Sequence, residues 1–326
     1  MRTPAFWYKP KTTLATVLGP LGRLYAAATA MRVRKFNTAY EAPVPVICIG
    51  NLNAGGTGKT PTTIALAERL RCRQRKVVIL SKGYKGARYG PWVVDPASDT
   101  AADVGDEPLM MAAFATTIVA GDRAEGAAMA AAEGAEVILM DDGFQSPAVH
   151  KDASIVVVDA GKGFGNGLCI PAGPLREPVA DGLARADLVL TVGSAPQQNN
   201  FPGPLLPTSN RIQAQLVPLP TGMPWSGLRA VAFAGIGLPD KFFKTLKAAG
   251  VTVLAEHSLA DHQAVPKALF DRLLRDAQSK NAQLVTTEKD AIKLPPDLRP
   301  LVLPFPVRLA IEDWSDIDAI FDRLGL

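Results

Sequence analysis

A glycine-rich stretch that ends in Gly-Lys-Thr is the part of this sequence best suited to chemistry. The stretch lies between an apolar run at 46–49 and a helix-compatible run, TIALAERLRC. Strand, glycine-rich loop, Gly-Lys-Thr and helix, in this order, are the pattern of a phosphate-binding P-loop. Lys59 can place its charge near the β- and γ-phosphates, and the Thr60 hydroxyl can bind Mg²⁺. We therefore expect a nucleotide here, bound by Asn53, Ala54, Gly55, Gly56, Thr57, Gly58, Lys59 and Thr60.

One position departs from the P-loop pattern. Asn53 occupies the place of the usual first glycine, five residues before Gly58. Because asparagine adopts a positive φ more readily than most residues do, we expect the loop to close in spite of the change.

A pair of carboxylates follows a second apolar run. Asp141 and Asp142 come directly after EVILM, about 80 residues beyond the P-loop. Carboxylates at the carboxyl end of a strand beside the P-loop strand can bind Mg²⁺ directly or through water. We expect the metal at Thr60 and one of these two aspartates, and the sequence leaves open which one.

Three further groups each allow two interpretations. Asp106 and Glu107 belong to an acidic cluster, DVGDEP, which is either functional or a solvated turn at a helix start. His262 in LADHQ is either catalytic or structural. Arg176 and Glu177 in PAGPLREP either present a guanidinium to a phosphate or form a surface pair.

The alternation of strands and helices indicates the fold class. Over residues 38–194 it predicts a doubly wound, mostly parallel α/β sheet of the P-loop NTPase type, with strands rich in Val, Ile and Leu. Residues 195–224 hold many Pro, Gln, Asn and Ser residues, which predicts a linker. A new α/β pattern then predicts a second, smaller domain at 225–326 that contributes to the substrate site.

The N-terminal segment, residues 1–37, has a distinct composition. It contains seven basic residues and no acidic one, an aromatic cluster at 6–8, and the apolar stretch LATVLGPLGRLYAAATAM. A signal peptide conflicts with a nucleotide loop, since ATP is cytoplasmic. A membrane span conflicts with Arg23 and with Gly19-Pro20, which we expect to break the helix. An amphipathic helix lying on a membrane is favoured, and a helix packed on the protein's own core is the alternative.

Charge and cysteine content exclude some classes of protein. The net charge of +4 comes from the N-terminal segment, because the rest of the chain is net acidic. This distribution argues against a nucleic-acid-binding surface. Three widely spaced cysteines argue against a disulfide framework and for a reducing cytoplasm.

Taken together, the motifs resemble those of the tetraacyldisaccharide 4′-kinases, and the resemblance extends from the N-terminal segment to about Lys293. The motifs occur in the family's order, and so many in sequence make the match specific. They are GNLNAGGTGKTP, SKGYKG, GDEP, DDGFQ, FGNG, CIPAGPLREP, FAGIG, LADHQ and TTEKDAIK.

The resemblance implies a P-loop kinase bound peripherally to the cytoplasmic face of the bacterial inner membrane. Such an enzyme transfers the γ-phosphate of ATP to the 4′-hydroxyl of tetraacyldisaccharide 1-phosphate, which gives lipid IVA in the biosynthesis of lipid A and lipopolysaccharide. The implied partners are this glycolipid, the membrane surface, ATP and Mg²⁺, and no nucleic acid. The implied residues are a catalytic pair, Asp106 and His262, with Lys59, the magnesium-associated Asp141 and Asp142, and the substrate contacts Tyr84, Arg123, Arg176 and Glu177.

Two residues depart from the family pattern. Lys82 stands where the family commonly has arginine, so a phosphate contact there keeps its charge but loses the bidentate geometry. Ser146 stands where histidine is common, so no role that requires an imidazole is expected at that position.

A switch ATPase of the ParA/MinD type is the alternative function. Those proteins also carry a GGTGKT loop and can bind membranes through an amphipathic helix. They place a lysine before the paired glycines, however, where this chain has Ala54.

Overall fold

Two sheets form the frame of the structure. A computed structural model describes residues 4–10, 12–34, 39–203, 210–260 and 263–326, and within these ranges the strands form one sheet of nine and one of four. The strands are β1 (Val46–Gly50), β2 (Val77–Ser81), β3 (Trp92–Val93), β4 (Thr116–Val119), β5 (Val137–Asp141), β6 (Ala153–Asp159), β7 (Leu188–Val192), β8 (Asn210–Pro218), β9 (Arg229–Ala234), β10 (Thr252–Ser258), β11 (Gln283–Thr287), β12 (Leu303–Phe305) and β13 (Val307–Ile311).

Helices cover both sheets. They are α1 (Thr13–Val33), α2 (Lys59–Cys72), α3 (Ala101–Val104), α4 (Asp106–Met111), α5 (Arg123–Ala132), α6 (Val179–Leu183), α7 (Ala195–Asn199), α8 (Pro239–Ala248), α9 (Lys267–Ser279), α10 (Glu288–Ala291) and α11 (Ser315–Arg323). Short 3-10 helices at Ala5–Tyr8 and Arg299–Leu301 add to these.

The larger sheet is doubly wound and mostly parallel, which confirms the predicted fold class. Its strand order is β13-β8-β7-β6-β1-β5-β2-β4-β3, and only the two outermost pairings, β13 with β8 and β3 with β4, are antiparallel. The P-loop strand β1 lies in the middle, and its Ile49 pairs with Asp141 of β5. Side chains of α2 and α11 pack on one face, and those of α5 pack on the other. The first carboxylate of the pair therefore lies at the same edge of the sheet as the P-loop.

The smaller sheet is wholly parallel, in the order β10-β9-β11-β12, as expected for a second α/β unit. Phe242 and Phe243 of α8 pack on one face of β9, and Phe270 and Leu273 of α9 pack on the other. Residues that follow β11, at the carboxyl edge of this sheet, approach α4 of the larger unit, where Lys289 Nζ lies 2.9 Å from Glu107 Oε1.

Two stretches differ from the predicted domain organisation. The predicted linker at 195–224 contains β8, which joins the larger sheet between β7 and β13. The last residues, from β13 through α11, also return to the larger sheet, where Ile317 and Phe321 pack in the same core cluster as Leu66 and Leu70 of α2. In β8 polar and apolar residues alternate and prolines flank the strand, so its composition is typical of a connection rather than of a buried parallel strand.

The prediction that Gly19-Pro20 breaks the N-terminal helix is wrong, because α1 continues through Pro20. One face of the helix packs on the protein, and this packing offsets the hydrogen bond that proline cannot donate. Gly22 lies so close to the 169–172 segment that a β-carbon there would be 2.8 Å from the Cys169 carbonyl oxygen. Trp7 adds a second attachment, donating from Nε1 to the Pro171 carbonyl oxygen at 3.0 Å.

The opposite face of α1 is apolar and exposed. Each of its large side chains is at least half accessible: Leu14, Val17, Leu21, Leu24 and Met31. None of the helices in the described ranges combines the length and the apolar character that crossing a membrane requires.

Two glycine substitutions in α1 test how it packs. Gly22→Ala should lower the free energy of unfolding by about 1–3 kcal/mol, because the added methyl group has no room. Gly19→Ala should change it by less than about 0.5 kcal/mol, because nothing beyond the neighbouring residues and the helix's own backbone lies within 4 Å of the added carbon, while the gain in helix propensity is opposed by the contact of that carbon with the Pro20 ring. Urea unfolding measures both variants, and equal effects would contradict the docking of this face.

Candidate active site at the carboxyl edge of the larger sheet

The P-loop closes without a positive φ at Asn53, so that part of the prediction is wrong. Among the described residues of the loop, the left-handed positions are Gly55 (φ 117°) and Gly58 (φ 102°). Asn53 is buried, and its Nδ2 donates to the Gly163 carbonyl oxygen at 3.1 Å. The residue that replaces the first glycine thus attaches the loop to the segment after β6.

The start of α2 is built to bind an anion. Its N-cap residue, Gly58, supplies no capping side chain, so the first N–H groups of the helix are available to phosphate oxygens, together with the helix dipole. Asn51 holds the loop from within, donating to the Gly55 carbonyl oxygen at 3.2 Å and to Thr57 Oγ1 at 3.1 Å. The Ala54 amide already donates to the Pro174 carbonyl oxygen at 2.7 Å, so it does not serve a phosphate.

Asp142 is the centre of a charged cluster beside the P-loop. Arg176 donates to both of its carboxylate oxygens, at 2.7 and 3.2 Å, and Lys59 Nζ lies 3.8 Å from Oδ1. Burial alone would raise the pKa of Asp142, but Lys59 and Arg176 outweigh it and hold the pKa at about 2. This carboxylate is therefore ionised at neutral pH and holds Lys59 at the mouth of the loop.

Asp141 has a different environment. It is buried at the end of β5, and its Oδ1 accepts a hydrogen bond from Thr63 at 3.3 Å. Burial, and then the neighbouring Glu107 carboxylate, raise the pKa of Asp141 to about 7, against the opposing charge of Lys59. Glu107, a member of the acidic cluster whose role the sequence left open, is thus an electrostatic neighbour of Asp141.

The donor groups suit magnesium. Asp141 and the Thr60 hydroxyl offer hard oxygen ligands, whereas both oxygens of Asp142 are held by Arg176. In the described part of the chain, no three His, Cys, Asp or Glu side chains cluster as a metal site. A magnesium ion here would take its other ligands from phosphate oxygens and water, as this ion does in kinases.

Three of the four predicted substrate residues lie around Asp141 and Asp142. They are Arg123, Glu177 and Arg176, whose contact with Asp142 is described above. Glu177 is buried, and its Oε1 accepts from Gln145 Nε2 at 2.9 Å while its Oε2 accepts from Arg185. Arg123 is also buried and donates to the Asp142 carbonyl oxygen at 2.8 Å. The fourth residue, Tyr84, is 66% exposed in the turn after β2.

Gln145 and Arg185 were not predicted from the sequence. Gln145 lies in the DDGFQ motif and joins the Glu177 carboxylate to the Asn51 carbonyl oxygen at 2.9 Å. Arg185 also lies 4.5 Å above the Phe144 ring. The motif could have suggested Gln145, but nothing near Arg185 in the sequence indicates its partner.

Asp106, the predicted base, is the first residue of α4 and is buried where the two sheets meet. Two lysines that follow β11, Lys289 and Lys293, place their Nζ atoms 3.6 and 3.7 Å from its Oδ2. Neither lysine was predicted from the sequence. Two lysines four residues apart, shortly after a strand, could have suggested a pair of positive charges at the end of that strand. The other member of the predicted pair, His262, lies outside the described residues.

A substitution of Arg185 tests the buried network. Arg185→Met should lower the free energy of unfolding by about 3–5 kcal/mol, because it leaves the Glu177 carboxylate buried without its cation. Arg323→Met, which breaks an exposed pair with Asp187, should cost less than about 1 kcal/mol. Urea unfolding compares them, and adding Glu177→Gln to Arg185→Met should recover part of the loss. A small effect of Arg185→Met would show that water already screens Glu177.

Comparisons with known proteins identify the family of this chain. The family described as tetraacyldisaccharide-1-P 4′-kinase matches residues 14–324. Tetraacyldisaccharide 4′-kinases of Dinoroseobacter shibae and Jannaschia sp. are 56% and 52% identical; each alignment covers 99% of this chain and 98% or 99% of the relative. The crystal structure of "apo" form LpxK from Aquifex aeolicus in complex with ATP is 26% identical, with a TM-score of 0.78 over 96% of this chain and 100% of that one. The chain therefore belongs to the tetraacyldisaccharide 4′-kinase family, the kinases of lipid A biosynthesis.

Proposed function

We propose that the site at the carboxyl edge of the larger sheet transfers the γ-phosphate of ATP to the 4′-hydroxyl of tetraacyldisaccharide 1-phosphate. The observation that carries this proposal is the Lys59–Asp142–Arg176 cluster, which lies beside an uncapped P-loop helix. Family membership over the whole chain supplies the substrate class.

The P-loop binds and orients the triphosphate. Backbone N–H groups at 55–60 surround the phosphates, and Lys59 places its charge on the β- and γ-phosphate oxygens, where negative charge develops during transfer. Thr60 and Asp141 would hold magnesium, which would supply further neutralisation of the phosphate charge. Asp142 keeps Lys59 directed toward the loop, and Arg176 keeps Asp142 in place.

Asp106 acts as the general base. A carboxylate buried at the junction of the two sheets can take the proton of the sugar hydroxyl as that oxygen attacks the γ-phosphate. Its assigned partner, His262, rests on the LADHQ motif alone.

The substrate residues divide into two roles. Tyr84 and Arg176 are accessible enough to contact the disaccharide 1-phosphate. Arg123 and Glu177 are buried and hydrogen-bonded to protein groups, so they act by holding the aspartate pair and Arg176 rather than by contacting the lipid.

Transfer of labelled phosphate tests the reaction. With γ-³²P-ATP and tetraacyldisaccharide 1-phosphate in detergent micelles, the wild-type protein should label the lipid. Asp106→Asn should lower kcat by about 10²–10⁴, the usual size of a general-base effect, with KM for ATP little changed. Near-normal turnover of Asp106→Asn would exclude this base. Release of labelled inorganic phosphate without labelled lipid would favour the switch-ATPase alternative.

Membrane association belongs to the same proposal. The exposed apolar face of α1, preceded by basic and aromatic residues, has the composition of a helix lying at headgroup depth. The buried face of the same helix packs on the 169–172 segment, so α1 can hold the site close to the membrane surface. A kinase held in this way reaches a disaccharide headgroup while the acyl chains stay in the bilayer.

Point substitutions test this face better than a deletion, because a deletion would also expose the surface under α1. Leu21→Gln with Leu24→Gln should reduce binding to vesicles of phosphatidylethanolamine and phosphatidylglycerol by at least tenfold, since two large apolar side chains no longer insert. Leu301→Gln, at an exposed position near the second sheet, is the control. Vesicle flotation measures binding, and unchanged binding of the double variant would contradict the anchor.

A further inference from the structure

We propose that Lys289 and Lys293, which belong to the smaller sheet's unit, are positioning residues that hold Asp106 in its reactive place. The inference rests on the proposed role of Asp106 as the base. It adds that this carboxylate is correctly placed only when the smaller unit is in contact with the P-loop unit.

Lys293 is the more constrained of the two lysines. Its side chain is 7% exposed, and its Nζ lies 2.8 Å from Asp290 Oδ1, 3.3 Å from the Gly235 carbonyl oxygen and 3.7 Å from Asp106 Oδ2. Burying an ammonium group is costly unless it is paired, and Asp290 alone already provides a pair. The approach to Asp106 is therefore an additional contact between the two units, not one needed to keep Lys293 in the fold.

The backbone fixes the position of Lys293. Asp290 is fully buried, and its Oδ2 accepts from the Gly235 amide at 2.9 Å and from Thr287 Oγ1 at 2.7 Å. Thr287 in turn caps α10 by accepting from the Asp290 amide at 3.0 Å. The FAGIG and TTEKDAIK motifs are thus one structural unit that directs a lysine at the base.

Lys289 approaches from α10 itself, whereas Lys293 lies in the turn that follows this helix. Its Nζ lies 3.6 Å from Asp106 Oδ2 and 2.9 Å from Glu107 Oε1. The other oxygen of Asp106, Oδ1, accepts from the Glu107 amide at 3.1 Å. Oδ1 of Asp106 is therefore oriented by the backbone of α4. Oδ2 is oriented by the ammonium groups of Lys289 and Lys293, which belong to the smaller unit.

The experiment is a double-mutant cycle in the full-length protein, read as kcat and KM for ATP in the labelled-phosphate assay. Lys293→Met and Lys289→Met should each lower kcat by about tenfold to a hundredfold, the range expected when a reacting group is misplaced by about 1 Å. KM for ATP should change less than about twofold. Lys293→Arg should retain much of the wild-type kcat because it keeps the charge. Lys267→Met, at an exposed lysine paired with Asp271, is the control and should leave kcat unchanged.

The cycle separates a positioning role from a structural one. In an Asp106→Asn background, neither lysine substitution should lower kcat further, because residues that act through one group are not additive. An equal loss in both backgrounds, or full turnover of both Lys→Met variants, would overturn the inference. If Lys293→Met does not fold, Lys289→Met and Lys293→Arg complete the same cycle. Near-normal turnover of Asp106→Asn would instead overturn the base assignment itself.

Discussion

The site depends on the parallel pairing of β1 with β5 and β6 in the middle of the larger sheet. Parallel neighbours end at the same edge, so the segments that follow them come together: the P-loop after β1, the aspartate pair after β5 and the glycine-rich segment after β6. The strands are buried on both faces by helices, which leaves no freedom for the register to slip. A change of one residue between Ile49 and Asp141 would move the aspartates to the other face.

Charge compensation then determines how this edge is arranged. Asp142 is held by Arg176 and Lys59, and Arg123 holds the backbone on which it stands. A second layer of buried polar groups, through Gln145, connects this cluster to the P-loop strand end and to Glu177. Each of these groups is costly to bury alone, so they stabilise the structure only as a connected set. That cooperativity is a physical reason for an edge rich in charges to be rigid.

The smaller unit and α1 pack on the larger unit at two different places. The smaller sheet presents its carboxyl edge, and with it the lysines after β11, to Asp106. The helix α1 packs on the protein through a buried face of mostly small residues that includes Gly22, and its opposite face exposes large apolar side chains. A proline within it is tolerated because packing, not the helix's own hydrogen bonds alone, keeps it in place.

The sequence by itself determined the local features: the P-loop, the aspartates after an apolar strand, the alternation of strands and helices, and the family motifs. These follow from patterns within a few residues. The tertiary structure decided what depends on distant partners. Asn53 stands where a P-loop usually has glycine. It holds the loop by a hydrogen bond to a residue 110 positions away and does not adopt a positive φ. β8 joins the larger sheet although its composition is that of a connection, and Glu177 proves buried against Arg185. Burial, charge pairing and sheet order are properties of residues brought together only by folding, so no local pattern contains them.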